Sequence, residues 1–173
     1  MLIANRHAPA GHWPGQAAAD ILLDFDERHR RRIRLRANNG EYVLLDLPKA
    51  VAMANGDGVC TNDGRWFKIV AKPEALIEVT AADGLTLMQL AWHLGNRHTP
   101  AEVQEKRILI RPDHVLVDMV RGLGGNAKTV EEPFQPEGGA YGGHGHAHSH
   151  DDHHSHQHGH THEHRHGDHH SHD

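Results

Sequence analysis

The chain has 173 residues and a formal net charge of −5, a length that holds one ordinary domain or two small ones and excludes a large multidomain enzyme. Its 21 histidines are several times the average share, and 15 of them fall in the 30 residues from His144 onward. Residues 1–137 carry 17 basic and 18 acidic side chains, against one and five over residues 138–173, so the main body is nearly neutral and has no field that gathers nucleic acid or anionic lipid. The sole cysteine, Cys60, cannot form an internal disulfide, which points to a reducing compartment. No stretch approaches the roughly 18 apolar residues of a membrane span, and residues 1–15 lack the apolar core of a signal peptide. The expectation is a soluble cytoplasmic protein with neither nucleic acid nor membrane as partner.

Short strands and turns dominate the first half. Ile21-Leu22-Leu23-Asp24-Phe25 is an apolar run, and Arg32-Ile33-Arg34-Leu35-Arg36 alternates with period two, placing Ile33 and Leu35 on one face and the arginines on the other. Asn38-Asn39-Gly40 supplies a left-handed turn into Tyr42-Val43-Leu44-Leu45, a hairpin signature. Asn55-Gly56-Asp57-Gly58 and Asn62-Asp63-Gly64 are further turns, flanking strands at Val59-Cys60 and Trp66-Phe67-Lys68-Ile69-Val70. Strands at this spacing predict a small antiparallel barrel or sandwich over residues 1–72.

After Lys72-Pro73 the pattern becomes mixed. Ala75-Leu76-Ile77-Glu78-Val79-Thr80 reads as a strand, and Asp83 caps a helix whose apolar positions are Leu85, Met88, Leu90, Ala91 and Leu94, stopped by Gly95-Asn96. Residues 101–104 and 107–111 predict a strand pair around the charged turn Glu105-Lys106. Pro112-Asp113 opens a second helix with Val115, Leu116, Met119, Val120 and Leu123 as its apolar face, ended by Gly124-Gly125, and residues 127–134 supply the last strand. The order β-α-β-β-α-β is the ferredoxin-like arrangement. The fold class is therefore α+β: a β-rich N-terminal domain (1–72), a ferredoxin-like βαββαβ domain (73–137), and a glycine linker with a histidine tail (138–173). The tail has too few apolar residues to offset the backbone entropy of ordering, roughly 1 to 2 kcal/mol per residue, and is expected to be disordered without a ligand.

Neutral imidazole suits nickel, copper and zinc. The run His144, His146, His148 and His150, followed by His153, His154, His156 and His158, lets a flexible chain wrap one ion with several nitrogens. Asp151, Asp152, Ser155, Gln157, Glu163 and Arg165 interrupt the histidines irregularly, unlike the uniform run of an expression tag. Ligand type alone cannot select a metal here, because the intrinsic affinity order puts copper above nickel and zinc.

Two histidines outside the tail sit at helix ends. His98, in Gly95-Asn96-Arg97-His98-Thr99-Pro100, lies just past a helix C-terminus, and His114 lies in the first turn of the second helix beside Asp113. A helix N-terminus disfavours imidazolium and keeps His114 available as a neutral ligand, whereas a C-terminus favours the charged form unless a metal displaces the proton. From the residues alone a capping or hydrogen-bonding role is the simpler reading of both. His93 precedes His98 by five residues, about 140° round a helix, so the two do not share a face and His93 reads as structural. One histidine is too few to hold a metal, but a twofold dimer doubles it.

The basic run Arg28-His29-Arg30-Arg31-Arg32 continues into the alternating arginines, yet it lacks aromatic platforms and reads as a solvated strand face or a protein-docking surface rather than a nucleic-acid site. No nucleophile elbow or phosphate loop is present, nor an H-E-x-x-H motif outside the histidine tail, and an enzyme using one metal as Lewis acid is the remotest reading.

The segment Trp92-His93-Leu94-Gly95-Asn96-Arg97-His98-Thr99-Pro100 resembles the urease accessory proteins of the UreE type, which deliver nickel to the urease apoenzyme. Asp113-His114-Val115-Leu116-Val117-Asp118-Met119, Phe134-Gln135-Pro136-Glu137-Gly138-Gly139-Ala140-Tyr141 and the histidine tail follow in the family's order. The resemblance implies a partner-docking N-terminal domain, a ferredoxin-like metal-binding domain, and a homodimer in which His98 of each chain meets at the axis to hold Ni²⁺. It also implies that His114 is a further metal-binding residue, although members with a His-Asp-His pattern there have histidine where this chain has Pro112. Tail histidines correspond to the family's extra capacity, with Zn²⁺ or Cu²⁺ as competitors. The implied partners are the urease apoenzyme activation complex and its GTPase UreG, and the implied function is metal carriage without catalysis. The alternative is a nickel, zinc or copper storage protein that delivers nothing.

Overall fold

The computed structural model describes residues 1–138, and the tail histidines from His144 onward lie outside the described residues. The first half folds as β1 (Leu2–Ala8), β2 (Ala19–Leu23), a 3-10 turn (Asp26–Arg28), β3 (His29–Arg36), β4 (Tyr42–Ala52), β5 (Gly58–Thr61) and β6 (Trp66–Ala71). These strands form one sheet in the order β2-β6-β5-β1-β4-β3. Alternation works as anticipated in β3: Leu35 is buried and Ile33 packs against the same core, while Arg32, Arg34 and Arg36 are exposed. Gly40 has φ +89° and its N–H donates to the Ala37 carbonyl at 2.9 Å, making the expected β3–β4 hairpin turn. Ile21, Val43, Leu45, Val59, Phe67 and Ile69 fill the core.

The expected antiparallel pairing needs one correction. β3–β4, β1–β5 and β5–β6 are antiparallel, but β1–β4 and β2–β6 are parallel. The β1–β4 pair comes from β1, whose sequence Leu-Ile-Ala-Asn-Arg-His-Ala has no clean alternation and does not read as a strand. It inserts between β4 and β5, so the two hairpins on either side of it are no longer direct neighbours.

The second half contains β7 (Pro73–Thr80), α1 (Gly84–Gly95), β8 (Ala101–Val103), β9 (Ile108–Ile110), α2 (His114–Gly122) and β10 (Asn126–Pro133). Its sheet has the order β10-β7-β9-β8 with every pair antiparallel, the βαββαβ arrangement expected from the sequence. Asp83 caps α1 by accepting from the Thr86 N–H and hydroxyl, both at 2.9 Å, and these bonds hold its carboxyl below the usual range. Asp113 caps α2 through the Val115 and Leu116 N–H groups. Ile77, Val79, Ile108 and Ile110 meet Leu90, Leu94, Leu116 and Val120 across the helix-covered face of the sheet. Each such large side chain, fully buried, contributes roughly 1.5 to 3 kcal/mol of hydrophobic stabilisation.

The apolar face anticipated for α1 is also corrected. Leu90 and Leu94 are buried with Leu87 and Ala91 beside them, but Leu85, Met88 and Trp92 are 63%, 65% and 65% exposed. Those three residues recur at i, i+3 and i+7 on the side turned away from the sheet. In α2, Leu116 and Val120 are buried and Met119 packs beside them, whereas Val115 and Leu123 are exposed.

After α2, Gly124 takes φ +85°, and Gly125 lies where the two helices meet. A Cβ there would stand 2.7 Å from Leu90 Cδ1, 2.9 Å from Val120 Cγ1 and 3.1 Å from the Val120 carbonyl oxygen. Gly125→Ala is therefore expected to destabilise the fold by about 1 to 3 kcal/mol through overpacking. A urea midpoint equal to that of the parent would refute this close approach.

The two sheets are joined by specific contacts. The Phe25 N–H donates to Glu74 Oε1 at 2.8 Å, and Arg111 forms a two-pronged pair with Asp26 at 3.0 and 2.8 Å. Arg28, only 3% exposed, donates to the Phe134 carbonyl, to Gln135 Oε1 at 2.8 Å and to the Met53 carbonyl at 3.4 Å. Phe25 and Phe134 meet edge to face at 5.3 Å, and Phe134 packs on Leu76 and Leu109 of the second sheet.

Candidate metal centre

α1 ends in a way that projects one imidazole. Asn96 N–H bonds back to the Trp92 carbonyl at 3.0 Å, Arg97 N–H to Leu94 at 3.1 Å and His98 N–H to Gly95 at 3.0 Å, which uses up the last helical acceptors. The Arg97 guanidinium covers a further one, the His93 carbonyl, at 3.0 Å. The chain then leaves the helix through His98 at φ +53°, the one non-glycine residue with positive φ among those described. Glycine would fill this position without the roughly 1 to 2 kcal/mol that a Cβ costs in left-handed backbone, a cost that asparagine offsets better than most residues do. His98 is exposed, and Pro100 two residues later holds Thr99 away from helical backbone so that β8 can begin.

His98 borders a cleft of about 730 Å³ between the two sheets. Ala91, Gly95, Thr99, Pro100 and Ala101 line it on one side, and Phe25, His29, Ala52 and Met53 on the other. The remaining wall is the segment after β10, from Gln135 to Gly138. Gln135 N–H donates to Glu102 Oε2 at 2.7 Å, and Glu137 N–H donates to the Ala101 carbonyl at 2.9 Å, so this segment runs alongside β8. Gly138, the last described residue, thus stands in the same cleft as His98, and Glu137 adds a carboxylate to its lining. Sequence reasoning missed this juxtaposition; the only available hint was the short stretch between Phe134 and the first glycines.

His114 is the first residue of α2 and is exposed. It borders a separate depression of about 420 Å³ with Asp113, Asp118, Arg121 and Lys128. His114 and Asp118 are four residues apart on one helix face. The structure therefore places His98 and His114 in different depressions. His93 is half-buried, edge-on to the Trp92 ring at 5.0 Å, and does not line the cleft that His98 borders. Among the described residues no three His, Cys, Asp or Glu side chains converge on one point. Each histidine on the described surface is accordingly a single donor, and a firm metal site needs further donors from another chain or segment. His144, His146, His148, His150, His153, His154, His156 and His158 lie outside the described residues.

Comparison with known proteins settles the lineage. The family model for the UreE urease accessory protein, N-terminal domain, matches residues 1–72, and that for the UreE urease accessory protein, C-terminal domain, matches residues 74–172. The chain belongs to the UreE family of urease accessory proteins. Among its relatives, the urease accessory protein UreE of Rhodopseudomonas palustris (strain HaA2) is 49% identical over 82% of this chain and 66% of its own length. The corresponding protein of Beijerinckia indica is 46% identical over 84% of both chains, and that of Chelativorans sp. (strain BNC1) is 53% identical over 73% of this chain and 80% of its own. Membership makes this chain an accessory factor in urease maturation, and a chaperone rather than a catalyst. Among the described residues no helix is long and apolar enough to cross a membrane.

Proposed function

We propose that this UreE-family chain captures Ni²⁺ in the cytoplasm and delivers it to apo-urease as the urease metallocentre is assembled. The observation that carries the reading is the cleft lined both by His98, kept in left-handed backbone, and by Gly138, the first residue of the glycine linker that leads to the histidine tail. The run of imidazoles from His144 onward collects the ion, and ligand exchange passes it to His98. Open imidazole sites release an ion faster than a closed thiolate cage, which suits a carrier. Zn²⁺ and Cu²⁺ compete for the same donors. The cargo then moves to the urease activation complex, including UreG, for which the β-rich unit (residues 1–72) supplies a docking surface and the ferredoxin-like unit (73–137) the metal site. His114 with Asp118 forms a second, weaker site, since Pro112 replaces the extra histidine of the family pattern.

A homodimer completes the main site by bringing two copies of His98 to a twofold axis. Leu85, Met88 and Trp92 support this: an exposed apolar stripe on the helix that leads into His98 is what an isologous interface needs. Trp92→Glu is expected to shift the solution mass from dimer to monomer at micromolar concentration and to weaken nickel binding at His98 along with it. A dimer of unchanged stability would move the interface elsewhere.

Delivery is tested directly. Nickel-loaded protein mixed with the apo-urease activation complex, in the presence of a chelator that removes free ion, should raise urease activity above that given by an equal amount of nickel alone. A storage protein would hold its nickel and lower the activity instead.

A further inference from the structure

β3 is an edge strand, and its outward face carries a concentration of positive charge that metal carriage leaves unused. Arg30, Arg31, Arg32, Arg34 and Arg36 are all exposed. Among the described residues only Arg32 has a carboxylate nearby, Asp46 at 4.0 Å, while Arg34 lies over the Tyr42 ring at 4.0 Å. Residues 1–137 are almost neutral as a whole, so five exposed arginines within seven positions are a segregated patch and not a reflection of overall charge.

The patch begins where the tail begins. His29, the first residue of β3, lines the same cleft as Gly138. At about 3.3 Å per strand residue, Arg32 lies about 10 Å and Arg36 about 23 Å along the strand from His29. The tail carries five acidic side chains against one basic, and its first acidic pair, Asp151-Asp152, follows Gly138 by 13 residues. Thirteen residues of random coil would span about 20 Å, comparable to the length of the patch.

We infer that the metal-free tail docks its acidic residues on the arginine face of β3, and that metal loading releases it. Exposed ion pairs are individually weak, but a tethered partner acts at an effective concentration on the order of millimolar, which a separate acidic protein must outcompete. Imidazoles bind metal in the neutral form, so each divalent ion adds two positive charges, and two ions cancel the tail's net charge of −4. The arginine face then opens to an acidic partner only when the protein carries cargo. The release step rests on the tail-binding reading proposed above; docking of the metal-free tail does not.

Two-dimensional amide NMR at about 50 mM salt tests this on the full chain and on a form ending at Gly143. The β3 amides and arginine side-chain signals should differ between the two forms, and the difference should vanish at 0.5 M salt. It should also vanish in a full chain carrying Asp151→Asn, Asp152→Asn, Glu163→Gln and Asp168→Asn, substitutions that cannot unfold the body. A polyglutamate peptide should bind the truncated form at least threefold more tightly than the metal-free full chain. Coincident β3 signals, or equal peptide affinity, would overturn the docking and leave the face to an external partner. Diamagnetic Zn²⁺ should return the full-chain signals to the truncated positions. Signals that stay put while calorimetry records tail binding would overturn release alone, and the absence of tail binding would overturn the tail reading while docking stands.

Discussion

His98→Ala should abolish the tight nickel site of the folded body while leaving the capacity of the tail intact. Calorimetry on the full chain, on a form ending at Gly143, and on that truncated form with His98→Ala separates the contributions. Truncation is expected to lower the stoichiometry and leave one site per dimer. The substitution then removes an imidazole from each protomer, and affinity should fall by at least about 100-fold, beyond the 10- to 100-fold typical of losing a group that merely supports a ligand. Protons compete with metal for imidazole, so nickel affinity of the full chain should be lower at pH 5.5 than at pH 7.5, either side of the ordinary histidine value of about 6.5. If the truncated dimer binds no nickel tightly, the folded-body site is wrong and the tail alone holds the metal.

A second substitution at the same position distinguishes a ligand from a structural cap. His98 occupies φ +53°, where glycine carries no Cβ penalty. His98→Gly is expected to leave the fold as stable as the parent or more stable by up to about 1 kcal/mol, while losing nickel as completely as the alanine variant. A residue that stabilises by its absence and binds by its presence is retained for chemistry. Marked destabilisation of the glycine variant would instead assign His98 to the helix stop.

Arg28→Ala should give the largest loss of stability. The guanidinium is buried among the Phe134 and Met53 carbonyls and the Gln135 side chain, and burial pushes it below its ordinary value against the opposing carboxylates of Glu74, Asp24, Asp57 and Glu102. Removing it strands buried acceptors at a cost of about 1 to 3 kcal/mol each, so a loss of about 3 kcal/mol is expected in urea denaturation. Arg28→Lys should recover only part of it, since one ammonium cannot serve three acceptors in a fixed fork. Asp26→Ala is the control: it removes the exposed pair with Arg111, whose side chains are 45% and 59% accessible, and should cost under about 1 kcal/mol. Because Arg28 holds Phe134 and Gln135, its loss also frees the segment that leads to Gly138, and the truncated form should bind nickel more weakly for that reason. An Arg28→Ala protein as stable as Asp26→Ala would show that the junction is held by the aromatic contact of Phe25 and Phe134 instead.

How far the sequence can be read depends on the range of the interactions involved. Asp83 and Asp113 announced their helices, Asn38-Asn39-Gly40 its hairpin and Gly124 its helix stop, because caps and turns are set by hydrogen bonds spanning only a few residues. The alternation of β3 likewise foretold which side faces solvent. The order of strands and helices in residues 73–134 followed from the same local signals, and the segment from Trp92 to Pro100 carried the family resemblance. β1 escaped notice, and with it the parallel β1–β4 pairing, because a strand held centrally by neighbours on both edges can form without strong alternation of its own. Leu85 and Met88 could not be told from core residues, since helical spacing reveals that a stripe exists but not which molecule covers it. Arg28 read as one more charge in a basic run until its acceptors arrived from 106 positions away, and His98 met the start of the tail only once Gln135 and Glu137 had paired beside β8. Composition and local pattern determined the donors and the elements that carry them; bringing donors together needed contacts between residues far apart in the chain, which leave no periodicity to read.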